Sequence, residues 1–104
     1  MAFRVEISQN AKRDLDVILE WVTAREAGIA GTRWIQGLHD AIASLGHLPS
    51  RCKLAKENSS FPFEVRQLLY GGKTLGFRIL FTVEDDVVKI LRVRRGRRAP
   101  LTGN

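Results

Sequence analysis

Between Lys89 and Arg98 the chain carries six basic residues and no acidic one. Such a run draws polyanions by displacing their counterions, so its chemistry is that of nucleic-acid or acidic-protein recognition. The alternative is a solvated basic face that only keeps the protein soluble. The charge is unevenly placed. Residues 1–50 hold 5 Lys/Arg against 6 Asp/Glu, and residues 51–104 hold 12 against 5, for a net charge of +6 overall.

Other chemistry-bearing residues point to less. His39 and His47 lie on a helix and near its end, with no cysteine or carboxylate at metal-ligand spacing, so neither a metal nor a cofactor is expected. Ser44 and His47 share a helical spacing without a third partner and do not form a triad. Gly71-Gly72 is turn chemistry, because no helix comes after it to offer an N-terminus to a phosphate. Trp21 and Trp34 fall at helical spacings that suit packing better than base stacking. Cys52 is the single cysteine. It has no partner for a disulfide, which fits a reducing compartment.

The elements that must position these residues emerge from periodicity. Phe3, Val5 and Ile7 alternate with Arg4 and Glu6, predicting a short strand, and Ser8 can cap a helix starting after it. Ala11, Leu15, Ile18 and Val22 predict that helix over roughly 9–26, with Asp14, Asp16 and Glu20 largely off its apolar stripe. Gly28 and Gly31 mark a break. Trp34, Leu38, Ala41, Ile42 and Leu45 predict a second helix from about Thr32 to Leu48, stopped by Pro49. Ser50 to Pro62 is polar and is expected to be a loop. Phe63 to Tyr70 predicts a strand that ends in the glycine turn reaching Gly76. Phe77, Ile79, Phe81 and Val83 alternate with Arg78, Leu80 and Thr82 in the next strand. Glu84-Asp85-Asp86 turns into a last strand, Val87 to Arg95, ended by Gly96.

The order β-α-α-β-β-β predicts a single α+β domain over 1–104, with a helical hairpin on one face of a mostly antiparallel four-stranded sheet. The other face, carrying Arg and Lys, is expected to be free for a partner. A hydrophobic fraction of 44 % is enough for a core and argues against extensive disorder. No apolar run spans a bilayer, and Met1-Ala2-Phe3-Arg4 lacks the layout of a signal peptide, so a cytoplasmic protein without membrane contact is expected.

In this layout the local sequences resemble the RelE/ParE superfamily of toxins from type II toxin–antitoxin systems. The similar pieces are Phe3-Arg4-Val5, Ala11-Lys12-Arg13-Asp14-Leu15, Trp34 with Ala41-Ile42-Ala43-Ser44-Leu45 and Pro49, Glu64-Val65-Arg66-Gln67-Leu68-Leu69, Phe77-Arg78-Ile79-Leu80-Phe81, and Ile90 through Arg98. The resemblance implies a growth-arresting toxin neutralised by a cognate antitoxin. It leaves two activities open. RelE-like members cut messenger RNA on the ribosome without a metal, and ParE-like members inhibit DNA gyrase without being enzymes.

Cleavage by the RNA's own 2′-hydroxyl needs a base, cations for the phosphorane charge and an acid for the leaving oxygen. The resemblance places Lys73, Arg78 and Arg98 in that catalytic set. Lys53, Lys56, Arg66, Arg92, Arg94, Arg95 and Arg97 are the expected contacts to nucleic acid or partner. Convergence of Lys73, Arg78 and Arg98 on one basic face tips the expectation towards an mRNA endoribonuclease that engages the ribosome. Two departures favour gyrase inhibition instead. Lys73 stands where RelE-like enzymes carry arginine, and the tail Leu101-Thr102-Gly103-Asn104 lacks their tyrosine. A non-toxic nucleic-acid-binding domain would explain the charge but not the resemblance. Arg66 and Arg78 have a plainer reading, as braces of the sheet through carboxylates such as Glu64 or Asp86.

Overall fold

Alternation of burial along Arg4–Ile7 makes the first strand, β1, and Ser8 turns it into a helix. The Ser8 hydroxyl accepts a hydrogen bond from the Ala11 N–H at 3.1 Å and donates one to the Leu91 carbonyl at 3.0 Å. The expected cap is therefore present, and it also ties the helix start to a strand more than eighty residues away. Helix α1, Gln9–Arg25, buries Ala11, Leu15, Ile18 and Val22, the stripe legible in the sequence. The computed structural model describes residues 2–25, 28–72 and 76–96.

Helix α2 runs Ile29–Ser44, beginning and ending earlier than expected. Gly28, at φ 88°, adopts the left-handed backbone that lets the chain enter α2 at that point. At the far end the N–H groups of Leu45, Gly46 and His47 bond three residues back, which tightens and stops the helix before Pro49.

Three strands complete the expected antiparallel run: β3 (Arg66–Tyr70), β4 (Phe77–Glu84) and β5 (Val87–Arg95). The stretch expected to be a loop holds more. Lys53–Leu54 forms a further strand, β2, flanked by 3-10 turns at Pro49–Arg51 and Lys56–Ser60. The sheet therefore has five strands rather than four, in the order β1-β5-β4-β3-β2, and β1 runs parallel to β5. Strand β3 starts at Arg66 and not at Phe63. The backbone of Val65 is taken by the Asn58 side chain and by Ala55 instead of by the ladder.

Between Leu80 and Phe81 the β4–β5 register shifts, leaving Leu91 as the extra residue of a bulge. The Leu91 carbonyl is the one taken by Ser8, and the Val93 N–H donates to Asp14 Oδ2 at 2.9 Å. Helix α1 thus satisfies the backbone groups that the bulge frees.

The main core lies between the helices and one sheet face, around Leu38, Leu45, Ile79, Phe81 and Ile90. Trp34 meets Tyr70 and Phe77 edge-on there, and Tyr70 Oη donates to the Trp34 carbonyl at 2.6 Å. A second, smaller cluster of Ala55, Val65 and Leu80, with Phe61 and Leu91 against it, sits apart from this core. It corrects the expectation of a free second face. Leu80 and Arg78 point away from the helices, and burying them requires the segment around Ala55 and Glu57 to cover the middle of that face. The fold is α+β, two helices on a mixed sheet. No helix among the described residues is long and apolar enough to cross a membrane.

Candidate functional site

Arg78, on β4, is the one residue of the expected catalytic set that lies among the described residues. Lys73 and Arg98 lie outside them, as does Arg97. The Arg78 guanidinium faces inward. Its two terminal nitrogens bond both carboxylate oxygens of Glu57, at 2.9 and 2.7 Å, and one also bonds Gln67 Oε1 at 3.0 Å. The side chains of Arg78 and Glu57 are 3 % and 0 % exposed. The hydrogen bonds from Arg78 to Glu57 raise the pKa of the arginine above its already high value, against the opposing pull of burial. Arg78 is thus a buried, fork-to-carboxylate cation. Its Nε is buried and has no hydrogen-bond partner among the described residues.

Arg66 also braces the sheet. It bonds Glu64 Oε1 through Nε and one terminal nitrogen, at 3.1 and 2.9 Å, and the Cys52 carbonyl at 2.6 Å through the other, which clamps β2 to β3. Its carboxylate partner is the expected one. For Arg78 it is Glu57, not Asp86. Lys53 and Lys56 are exposed and sit on the covering segment, so they face solvent above the second face.

The arginines of β5 form the described part of the basic run. Arg92 is held by Asp14 of α1 through two bonds of 2.7 and 3.0 Å, and these raise its pKa against burial. Arg95 lies over the Trp21 ring at 5.0 Å, and Arg25 over the same ring at 4.8 Å. Cation–π pairs of this kind contribute about 0.5–1 kcal/mol each at exposed sites. Arg94 is cross-strand from Arg78, so the two share the face opposite the helices. Arg92, Arg94 and Arg95, together with Val17 and Trp21 of α1, bound a cleft of about 340 Å³ between the helix and the end of β5. Val17 is 65 % exposed at its rim.

Sequence reasoning misses Glu57 and Asp14. Asp14 reads as off the apolar stripe, yet it is three residues after Ala11 and four before Ile18, on the flank of the buried face. That spacing is the available signal. Glu57 offers only one, as the single acid of the polar segment 50–62. His39 and His47 are exposed, and no group of His, Cys, Asp or Glu among the described residues could hold a metal ion. Trp21 lines the cleft while packing edge-on against Phe77.

Comparison with known proteins places this architecture. The family model described as the ParE toxin of the type II toxin–antitoxin system parDE matches residues 5–100. No curated protein matches significantly in sequence. Among solved structures, the chromosomal ParDE system of P. aeruginosa is similar at a TM-score of 0.70 and 20 % identity, over 90 % of this chain and 96 % of that one. A mutant of the E. coli toxin RelE in its free state gives 0.59 and 17 %, over 93 % and 86 %. The toxin–antitoxin complex RelBE2 of Mycobacterium tuberculosis gives 0.54 and 21 %, over 91 % and 99 %. These likenesses are of fold, and the family match carries the assignment. The chain belongs to the ParE toxin family and is the toxin component of a type II toxin–antitoxin system.

Proposed function

We propose that this toxin arrests growth by binding and inhibiting DNA gyrase in the cytoplasm, not by cutting messenger RNA on the ribosome. The observation that carries the reading is the Glu57 grip on Arg78. Phosphorane stabilisation requires a cation whose donors are free to follow the developing charge. Both terminal nitrogens of Arg78 are already committed, in a covered site. Pulling Glu57 away would leave a buried cation uncompensated, at a cost of about 3–5 kcal/mol. On this reading Arg78 serves the fold rather than catalysis.

Gyrase inhibition needs no catalytic set, only a complementary surface. The match to the ParE family over 5–100 supports it, because ParE-like members are the gyrase inhibitors of the superfamily. On this reading Lys53, Lys56, Lys73, Arg94, Arg97 and Arg98 serve as contacts to the target or to the antitoxin. Pulse labelling during induced expression tests it. Gyrase inhibition makes DNA synthesis fall first, with DNA-damage signalling. Protein synthesis falling first, with cut transcripts, would restore the nuclease reading and would assign Lys73 and Arg98 to it.

A further inference from the structure

Trp21 gathers two arginines that come from different elements. The Arg25 guanidinium, from the last turn of α1, lies 4.8 Å from the ring centre, and that of Arg95, from the end of β5, lies 5.0 Å from it. The ring is itself fixed by its edge-on contact with Phe77 in the core. Two like charges are thus held at one platform, which lowers the side-chain entropy that each would lose on meeting an anion. A ring contact consumes none of the N–H donors of a guanidinium, so it leaves the fork that matches phosphate.

Arg94 adds a third cation at the same end of β5. It is cross-strand from Arg78 on the face opposite the helices, whereas Arg95 turns to the helix side and Trp21. The strand end therefore presents cations on both faces of the sheet. Neither Arg25 nor Arg94 has a carboxylate partner among the described residues, while Arg92 is neutralised by Asp14 and Arg78 by Glu57. The acidic run Glu84-Asp85-Asp86 is exposed at the opposite end, before the start of β5, roughly 25 Å away along the strand. Salt screens charges over about 8 Å at physiological strength, so that run does not offset the basic end.

We propose that this end of the molecule contacts duplex DNA, with Arg25, Arg94 and Arg95 on backbone phosphates and no base read. Forks set on both faces of a strand end suit the repeating charge of a phosphodiester backbone, and such contacts position a protein without conferring sequence preference. The DNA contact deepens the gyrase reading and rests on it. An inhibitor bound to gyrase meets the DNA that the enzyme holds, and the arginines fasten it to the two together.

The test is fluorescence anisotropy of the full chain with labelled duplexes of unrelated sequence, titrated with salt between about 50 and 200 mM. Affinity should be the same for each duplex and should fall linearly on a log–log plot. Arg25→Gln and Arg94→Gln should each reduce that slope by about one and weaken binding about fivefold. Arg13→Gln, which removes the same charge from the first half of α1, should leave the slope unchanged. The Arg25→Gln/Arg94→Gln double variant should need about tenfold more protein to inhibit supercoiling by gyrase. Five results would each overturn the DNA contact: no binding at low salt, an equal effect of Arg13→Gln, tighter binding of duplex RNA, full displacement by polyglutamate of equal charge, or unchanged inhibition by the double variant. A toxin that binds duplex DNA through these arginines and leaves supercoiling untouched keeps the contact and loses the gyrase reading beneath it.

Discussion

Arg78 and Glu57, twenty-one residues apart, meet in a buried two-bond ion pair that fastens the covering segment to the second face of the sheet. Removing one partner strands the other in a site that water does not reach. Glu57→Leu or Arg78→Met should each cost about 3–5 kcal/mol, read from the urea unfolding midpoint. The double variant, which leaves no buried charge, should recover most of that loss and should still arrest growth. A folded double variant without toxicity would mean that the guanidinium itself acts on the target.

Asp14 carries two loads, the Arg92 guanidinium and the N–H that the bulge frees at Val93. Asp14→Ala should destabilise by about 1–3 kcal/mol. Asp14→Asn, which can still accept from Val93, should lose less. A thermal melt resolves the two, since about 1 kcal/mol shifts the midpoint of a domain this size by several degrees. Equal losses would remove the bulge from Asp14's role.

Gly37 on α2 faces the Tyr70 hydroxyl so closely that a Cβ would overlap it. Gly37→Ala should therefore destabilise by about 1–3 kcal/mol despite alanine's better helix propensity. Tyr70→Phe alone should cost about 1 kcal/mol for the lost bond to Trp34. In the Gly37→Ala background the same change should cost less, or help, because it removes the overlapping atom. A double-mutant cycle in urea measures this, and strict additivity would contradict the packing account.

Burial raises the pKa of the Cys52 thiol, against the lowering pull of Arg51 and Arg66, and burial, helped by Asp40, raises that of the Tyr70 phenol. A group whose pKa is raised on folding adds stability that is intact below its unfolded value and lost as pH rises through the folded one. Stability should therefore be flat across neutral pH on account of these groups and decline above about pH 9. Cys52→Ala should soften the first part of that decline. In the native protein at neutral pH the thiol should react with a disulfide reagent far more slowly than after unfolding.

Much of the fold is legible in the sequence because its signals are periodic. The stripes on α1 and α2, the alternation from Phe77 to Val83 and the Ser8 cap need only local sequence. Segment 50–62 is not legible, because a two-residue strand between 3-10 turns has no period to detect, and its order comes from Leu80 and Arg78 beneath it. The bulge at Leu91 is hidden by a strand that is apolar on both faces, where one inserted residue breaks no alternation. The basic character of the site is plain in the composition. Which cations are spent on the protein itself is not, since the pairings of Arg78 with Glu57 and Arg92 with Asp14 exist only in three dimensions.

Two purified reactions, run side by side, bear most directly on how the toxin works: supercoiling of relaxed plasmid by DNA gyrase, and cleavage of messenger RNA on programmed ribosomes. The expected result is loss of supercoiling as toxin is added, with transcripts left whole. Cut transcripts with supercoiling unaffected would contradict it, and would mean that catalysis proceeds without Arg78 or that Glu57 releases it on the ribosome.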